Sequence, residues 1–138
     1  MSKKILIIIT ALFFSAILFL SLFAEKIHNA GLPKVTVSRP ETHIFEETFT
    51  DENGETYTFY TEKTAISKEQ IEQGVYVMCS AEKNGTKRSF VRLAHVVIGE
   101  ENDGYLEIVS GINYGEKIVT SSTAELYDGA EVFVIAFE

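Results

Sequence analysis

The sequence predicts a mainly β protein, with a single N-terminal transmembrane helix followed by a small antiparallel β-barrel or sandwich. Three observations carry this expectation. Residues 5–23 form an uncharged apolar run. Beyond Pro33 the chain breaks into eight or nine short segments with strand-like alternation. Turn signals separate these segments at intervals of about 8–12 residues, the rhythm of a sandwich or barrel.

The apolar run is interrupted only by Thr10, Ser15 and Ser21. Nineteen helical residues rise roughly 28 Å, close to the ~30 Å of a hydrocarbon core. Lys3 and Lys4 precede the run and Glu25 is the first charge after it. That order places the N-terminus in the cytoplasm and the remainder outside it, by the positive-inside tendency. A cleaved signal peptide has the same charge order, with an apolar region of about 7–15 residues. The exit here also lacks a small-x-small site. Cleavage after Ala24 would put Leu22 three positions back, and cleavage after Ser21 would put Phe19 there. The expected organisation is a cytoplasmic tail at 1–4, a transmembrane helix at 5–23, a connector at 24–33 and an extracytoplasmic β domain at 34–138. The localisation is the cell membrane, single-pass, with the lipid bilayer as partner of the helix.

Charge narrows the partners of the exported part. With Lys3 and Lys4 set aside, ten basic residues face twenty acidic ones. Phosphate binding needs clustered Lys and Arg, so nucleic acid is excluded as a partner, and so is docking on anionic head groups. Cys79 is the sole cysteine, which rules out an intrachain disulfide. Its neighbours Val75, Val77 and Met78 suggest a strand in which it serves as a small apolar residue.

The connector is broken by Asn29, Gly31 and Pro33. Val35 and Val37 then alternate with Lys34, Thr36 and Ser38, the period of a half-buried strand. Residues 44–49 and 56–61 flank Asp51-Glu52-Asn53-Gly54, and Asn-Gly favours a tight hairpin. Residues 75–79 and 87–98 flank Asn84-Gly85 in the same way. The stretch Glu100-Glu101-Asn102-Asp103-Gly104 leads into a strand at 105–109, and strands at 118–121 and 131–137 finish the chain. Ser67 followed by Gln70 has the spacing of a helical capping box, and residues 122–129 have room for one helical turn.

The search for reactive chemistry yields no catalytic, cofactor-binding or metal residues. His28, His43 and His95 lack metal-ligand spacing with each other or with Cys79. Phosphate loops and a nucleophile elbow are absent. Asp51, Asn53 and Glu55 alternate as calcium ligands might, but Gly54 falls at loop position four, where an EF-hand needs its glycine at six. Glu100 to Asp103 fails similarly, and both clusters read as charged hairpin tips. Asn84-Gly85-Thr86 matches a glycosylation acceptor, with meaning only in a cell that glycosylates exported chains.

A family resemblance rests on an ordered series of fragments. These are 65–71 (AISKEQI), Gly74-Val75-Tyr76-Val77, Arg92-Leu93, Ile98-Gly99 and Gly104-Tyr105-Leu106-Glu107-Ile108. Ser110-Gly111-Ile112, Gly115-Glu116-Lys117-Ile118-Val119 and Asp128-Gly129-Ala130-Glu131-Val132 follow. Together they resemble the membrane-proximal domain of periplasmic adaptor subunits, the membrane fusion proteins of the haemolysin-secretion-D type. The similarity covers residues 64–134, about half of the chain. Leu32-Pro33-Lys34-Val35-Thr36-Val37 is similar to the strand that follows the anchor in such adaptors. In the family that strand pairs within the membrane-proximal domain after a long excursion through a helical hairpin, a lipoyl-like domain and a β-barrel domain. Here only residues 38–63 lie between, so the chain resembles an adaptor reduced to its anchor and membrane-proximal domain.

The resemblance implies a non-enzymatic, membrane-anchored accessory subunit of an efflux or export transporter, touching an ABC-type or other permease. It implies no catalytic residues and no cofactor, and it leaves homo-oligomerisation open. Without the outer parts, no bridge to an outer-membrane channel is expected. The alternative is a stand-alone extracytoplasmic module that binds a ligand or senses the envelope.

Overall fold

A computed structural model describes residues 2–138, and the chain divides into two compact units, Met1–Leu32 and Pro33–Glu138. The elements run α1 (Lys3–Ala30), β1 (Lys34–Ser38), β2 (Glu41–Thr50), β3 (Thr56–Ser67) and α2 (Lys68–Gln73). They continue with β4 (Tyr76–Lys83), β5 (Thr86–Leu93), β6 (Val97–Asn102), β7 (Tyr105–Ser110), β8 (Ile118–Ser122) and β9 (Glu131–Phe137). The class is the expected one: mainly β, with one N-terminal apolar helix.

Unit one is α1. It continues through residues 24–30, which the sequence pattern assigns to a connector. Asn29 does not break it, and Ala24, Glu25 and Lys26 favour helix. The helix stops where the Gly31 N–H bonds the His28 carbonyl at 3.2 Å, two residues ahead of Pro33. Within the apolar run the Thr10 hydroxyl donates to the Leu6 carbonyl at 2.9 Å, so the polar group is satisfied inside the helix.

In unit two, β1, β8, β4, β5 and β9 form a closed barrel in that order. The remaining strands form a four-stranded sheet ordered β2, β3, β7, β6. Pairing is antiparallel except between β1 and β9, which run parallel. This settles how β1 behaves. The alternation predicts a half-buried strand, but β1 lies between two partners and even Thr36 is buried. Val35 and Val37 are fully enclosed with Val91, Val119 and Val132. Each is worth about 1.5–3 kcal/mol by burial.

Strand β4 joins the barrel to the second layer, because it is covered on both faces. Tyr76 and Met78 pack into the barrel core. Val75 and Val77 pack the other way, with Ile66 of β3, Ile108 of β7 and Ile118 of β8. Helix α2 sits at this junction. Ser67 caps it by accepting the Gln70 N–H at 3.4 Å. Gln70 does not complete the reciprocal capping box; its side-chain amide donates instead to the Val119 carbonyl at 2.8 Å and pins α2 to β8.

Turn chemistry sets three hairpins. Asn84-Gly85 and Asp103-Gly104 each supply two consecutive positive φ angles, 54° and 75°, then 50° and 79°, as a two-residue turn requires. The β2–β3 turn is longer, and only Gly54 is left-handed there. Two segments depart from expectation. Residues 87–98 are not one strand: β5 ends at Leu93, the chain turns at Ala94 to Val96, and β6 begins in the other sheet. Residues 122–129 contain no helical turn, because their groups serve the barrel. Asp128 accepts the Leu93 N–H at 2.8 Å, Gly129 N–H bonds the Val91 carbonyl at 2.8 Å, and the Tyr76 hydroxyl bonds the Leu126 carbonyl at 2.8 Å.

Gly111 fixes the crossing between layers. Its φ is +107°, and a Cβ there would run into the His95 carbonyl and lie 2.8 Å from Val96 Cα. Gly54, at φ +83°, has open space around it. Alanine at Gly54 therefore pays only the conformational cost, about 1–2 kcal/mol. Gly111→Ala adds a clash with immovable backbone and should lose at least about 1 kcal/mol more. In thermal unfolding that is a further drop of about 4–8 °C; equal losses for the two variants would refute this account.

Candidate functional site

The sheet β2-β3-β7-β6 has two faces with different fates. Ile66 and Ile108 point to the barrel and are buried. The opposite face carries His43, Phe45, Glu47 and Lys63, with Tyr105 and Glu107 from β7, as the registers place them. The sheet curls: Asn102 on edge strand β6 donates its side-chain amide to the Ile44 carbonyl on edge strand β2 at 2.8 Å.

Lys63 lies at the centre of this face. Its Nζ is 2.7 Å from Glu47, 3.4 Å from Glu107 and 3.5 Å from Glu100. It also stands 5.5 Å from the ring centre of Phe45, which is almost wholly buried beneath it. The Glu47 carboxylate, followed by Glu107 and Glu100, pushes the lysine well above its ordinary pKa. Glu107 is itself positioned by accepting the Glu100 N–H at 3.1 Å. Gly99 leaves the space this needs, since a Cβ there would overlap the Glu107 carboxylate. His43 stacks on Tyr105 at 4.5 Å and meets Phe45 edge-on. The arrangement ties β2, β3, β6 and β7 together around one ammonium, and its three carboxylates leave it net negative.

Past this cluster the β2–β3 hairpin continues without the other strands. β7 pairs with β3 only at Ala65 to Ser67, whereas the β2–β3 register runs to Thr50 and Thr56. On the face shared with Phe45, the distal part exposes Phe49, Tyr57 and Phe59. The tip is rigidly made. One Asp51 carboxylate oxygen accepts the N–H groups of Asn53 and Glu55, each at 2.9 Å. The Tyr57 hydroxyl donates to Glu55 at 2.8 Å, and this bond raises the tyrosine's pKa. Asp51 and Glu55, read from sequence against a calcium pattern, are thus turn-forming groups.

The other singled-out residues scatter. His28 is on α1, and His95 is exposed in the turn between β5 and β6 rather than in a strand. Cys79 lies on β4 but is exposed, not packed as a small apolar residue. Asn84 is exposed at the β4–β5 turn. Among the described residues no three His, Cys, Asp or Glu side chains converge as metal ligands. A shallow groove of about 400 Å³ is lined by Ser38, Arg39, Glu41, Lys117, Thr120 and Glu138. Its two cations and two carboxylates leave no preferred charge for a ligand.

The fragments that carry the family resemblance take structural roles. Glu116 accepts the Asn113 N–H at 2.6 Å and pairs with Arg92 at 3.3 Å, which together depress its pKa. Asp128, Gly129 and Gly111 close turns, as described above. Compared with protein-family models, with curated proteins and with solved structures, the chain matches none.

The lysine cluster has a pH signature. A raised lysine pKa means its contribution is complete below the unfolded value near 10.4 while the carboxylates stay ionised, and is lost as pH rises through the folded value. In Lys63→Met three carboxylates would face one another without a countercharge. The variant should unfold at a lower temperature than the parent at pH 7, and the gap should narrow toward pH 4 as the carboxylates protonate. A pH-independent gap in thermal unfolding would show that Lys63 acts only through packing.

Proposed function

We propose that the protein is a non-enzymatic, membrane-anchored accessory subunit of an efflux or export transporter, adaptor-like in its membrane-proximal domain. The observation that carries this reading is the place of β1. The first strand after the apolar helix closes the barrel between β8 and β9, strands from the end of the chain. An early strand returning to pair with the end of a membrane-proximal domain is what the adaptor resemblance implies. The β domain cannot close its barrel without β1, the first strand after α1. Such a subunit acts by docking beside a permease and favouring one of its conformations. The short span between β1 and β3 gives it no reach to an outer membrane.

In this reading α1 crosses the membrane with its N-terminus in the cytoplasm, and the β domain is extracytoplasmic. The helix is long and apolar enough to cross. Cys79, single and exposed, reports the side directly. A membrane-impermeant maleimide should label it in intact spheroplasts as fully as in lysed ones, and Cys79→Ser should abolish the signal. Labelling only after lysis would reverse the topology.

The partner is tested by cross-linking in native membranes, purification of this protein and mass spectrometry. A transporter permease should be recovered, and its yield should collapse when residues 5–23 are replaced by an unrelated anchor. Recovery of the intact anchored protein with no permease would overturn the accessory-subunit reading in favour of a stand-alone binding module.

A further inference from the structure

We propose that the β2–β3 hairpin is a protein-docking arm whose partner presents an apolar depression rimmed by Lys and Arg. Three independent features of the hairpin lead there. The first is its extension beyond the sheet. Its distal strands pair only with each other, so both faces of the ribbon are free of this chain's own core. An isolated two-stranded ribbon is marginal in water. Here its base is fixed by Phe45 under Lys63, and its tip by Asp51 and by the Thr50–Thr56 hydroxyl contact at 3.1 Å. A preformed arm loses little conformational entropy on binding.

The second feature is the aromatic row. Phe49 and Tyr57 are directly opposed and Phe59 is the next residue along the same face. Their exposures are 59%, 52% and 45%, so about half of each ring's surface is available for burial. Tyrosine and phenylalanine are the residue types enriched at the centres of protein interfaces. The other face is largely threonine and glutamate, with exposed Tyr60 and Ile44 set apart among them, so the contiguous aromatic row lies on the Phe49 face.

Charge selects the occupant. Residues 41–62 carry seven carboxylates and no Lys or Arg. Glu46, Glu52 and Glu62 have no ion pair within the described residues. An anionic bilayer surface would repel this arm. A second copy, face to face, would set the same seven carboxylates against themselves. A protein surface with a basic rim meets both needs, since it buries the rings and neutralises the unpaired carboxylates. The inference rests on the accessory-subunit reading only for the statement that this partner is a transporter.

The test places photoreactive benzoyl-phenylalanine at Tyr57 in the full chain, in native membranes, with the same substitution at fully exposed Tyr114 as control. Position 57 should give a protein adduct absent at position 114. Its yield should fall at least about fivefold in 0.5 M salt, which screens exposed charges. A comparable fall should follow Glu46→Lys with Glu52→Lys, exposed unpaired positions that leave the unfolding midpoint unchanged. An adduct of two copies of this chain, a lipid adduct, no adduct, or a protein adduct indifferent to salt and charge reversal would each overturn the proposal. A permease captured by general cross-linking but not from position 57 sinks the arm and spares the accessory-subunit reading. A charge-dependent adduct with a protein that is not a transporter does the reverse.

Discussion

The fold of unit two depends on one five-residue strand being enclosed on both sides. β1 hydrogen-bonds β8 antiparallel and β9 parallel, and without it the barrel has two open edges. Unpaired edges expose backbone groups and invite aggregation. A parallel pair also needs a crossover, and here nearly the whole domain forms it, from Ser38 through to Glu131. The domain is therefore complete only when its first and last strands have met. The strand's burial carries the same message: Val35 and Val37 complete the barrel core from a position next to Pro33.

The second layer follows from the first. A five-stranded barrel leaves the outer faces of β4 and β8 partly apolar, at Val77 and Ile118, with Val75 just ahead of β4. The sheet β2-β3-β7-β6 covers that surface with Ile66 and Ile108, and its far face is turned away from the barrel. Phe45 on that face is shielded instead by the lysine stem and ammonium of Lys63, a snorkelling arrangement in which the charge is met by three carboxylates. Where β7 and β6 stop, that shielding stops as well, and the aromatic row continues exposed. Exposure of Phe49, Tyr57 and Phe59 is thus a geometric consequence of β3 being longer than the strand beside it.

Much of this architecture was legible in the sequence because turns and periodicity act locally. The Asn84-Gly85 and Asp103-Gly104 hairpins follow from residues that adopt positive φ without strain, and Ser67 announces α2 through a hydroxyl that accepts the N–H of Gln70, three residues on. Apart from the helical stretch at 24–30, the failures involve partners distant in the chain. Two-sided burial of β1 depends on strands about eighty to a hundred residues away. The break at Ala94 depends on Gly111 approaching His95, and the loop at 122–129 is held by β5 and Tyr76. The lysine cluster was equally invisible, since Glu47, Lys63, Glu100 and Glu107 come from four strands with no common spacing. Pairing register, once known, brings them together.

The distribution of polar groups bears on what kind of work this domain does. Catalytic sites gather titratable groups in enclosed, water-poor pockets and leave one of them unsatisfied and poised. Here the strongest polar interactions lie on the surface or hold turns. Lys63 is saturated by carboxylates, Glu116 by the Asn113 amide and Arg92, and Asp51 and Asp128 by backbone N–H groups. Each ties two strands or closes one loop, and none points at a void. Rigidity of this sort suits a part whose function is to present a surface at a fixed place. The exposed surface at the end of the β2–β3 ribbon is apolar and flanked by carboxylates.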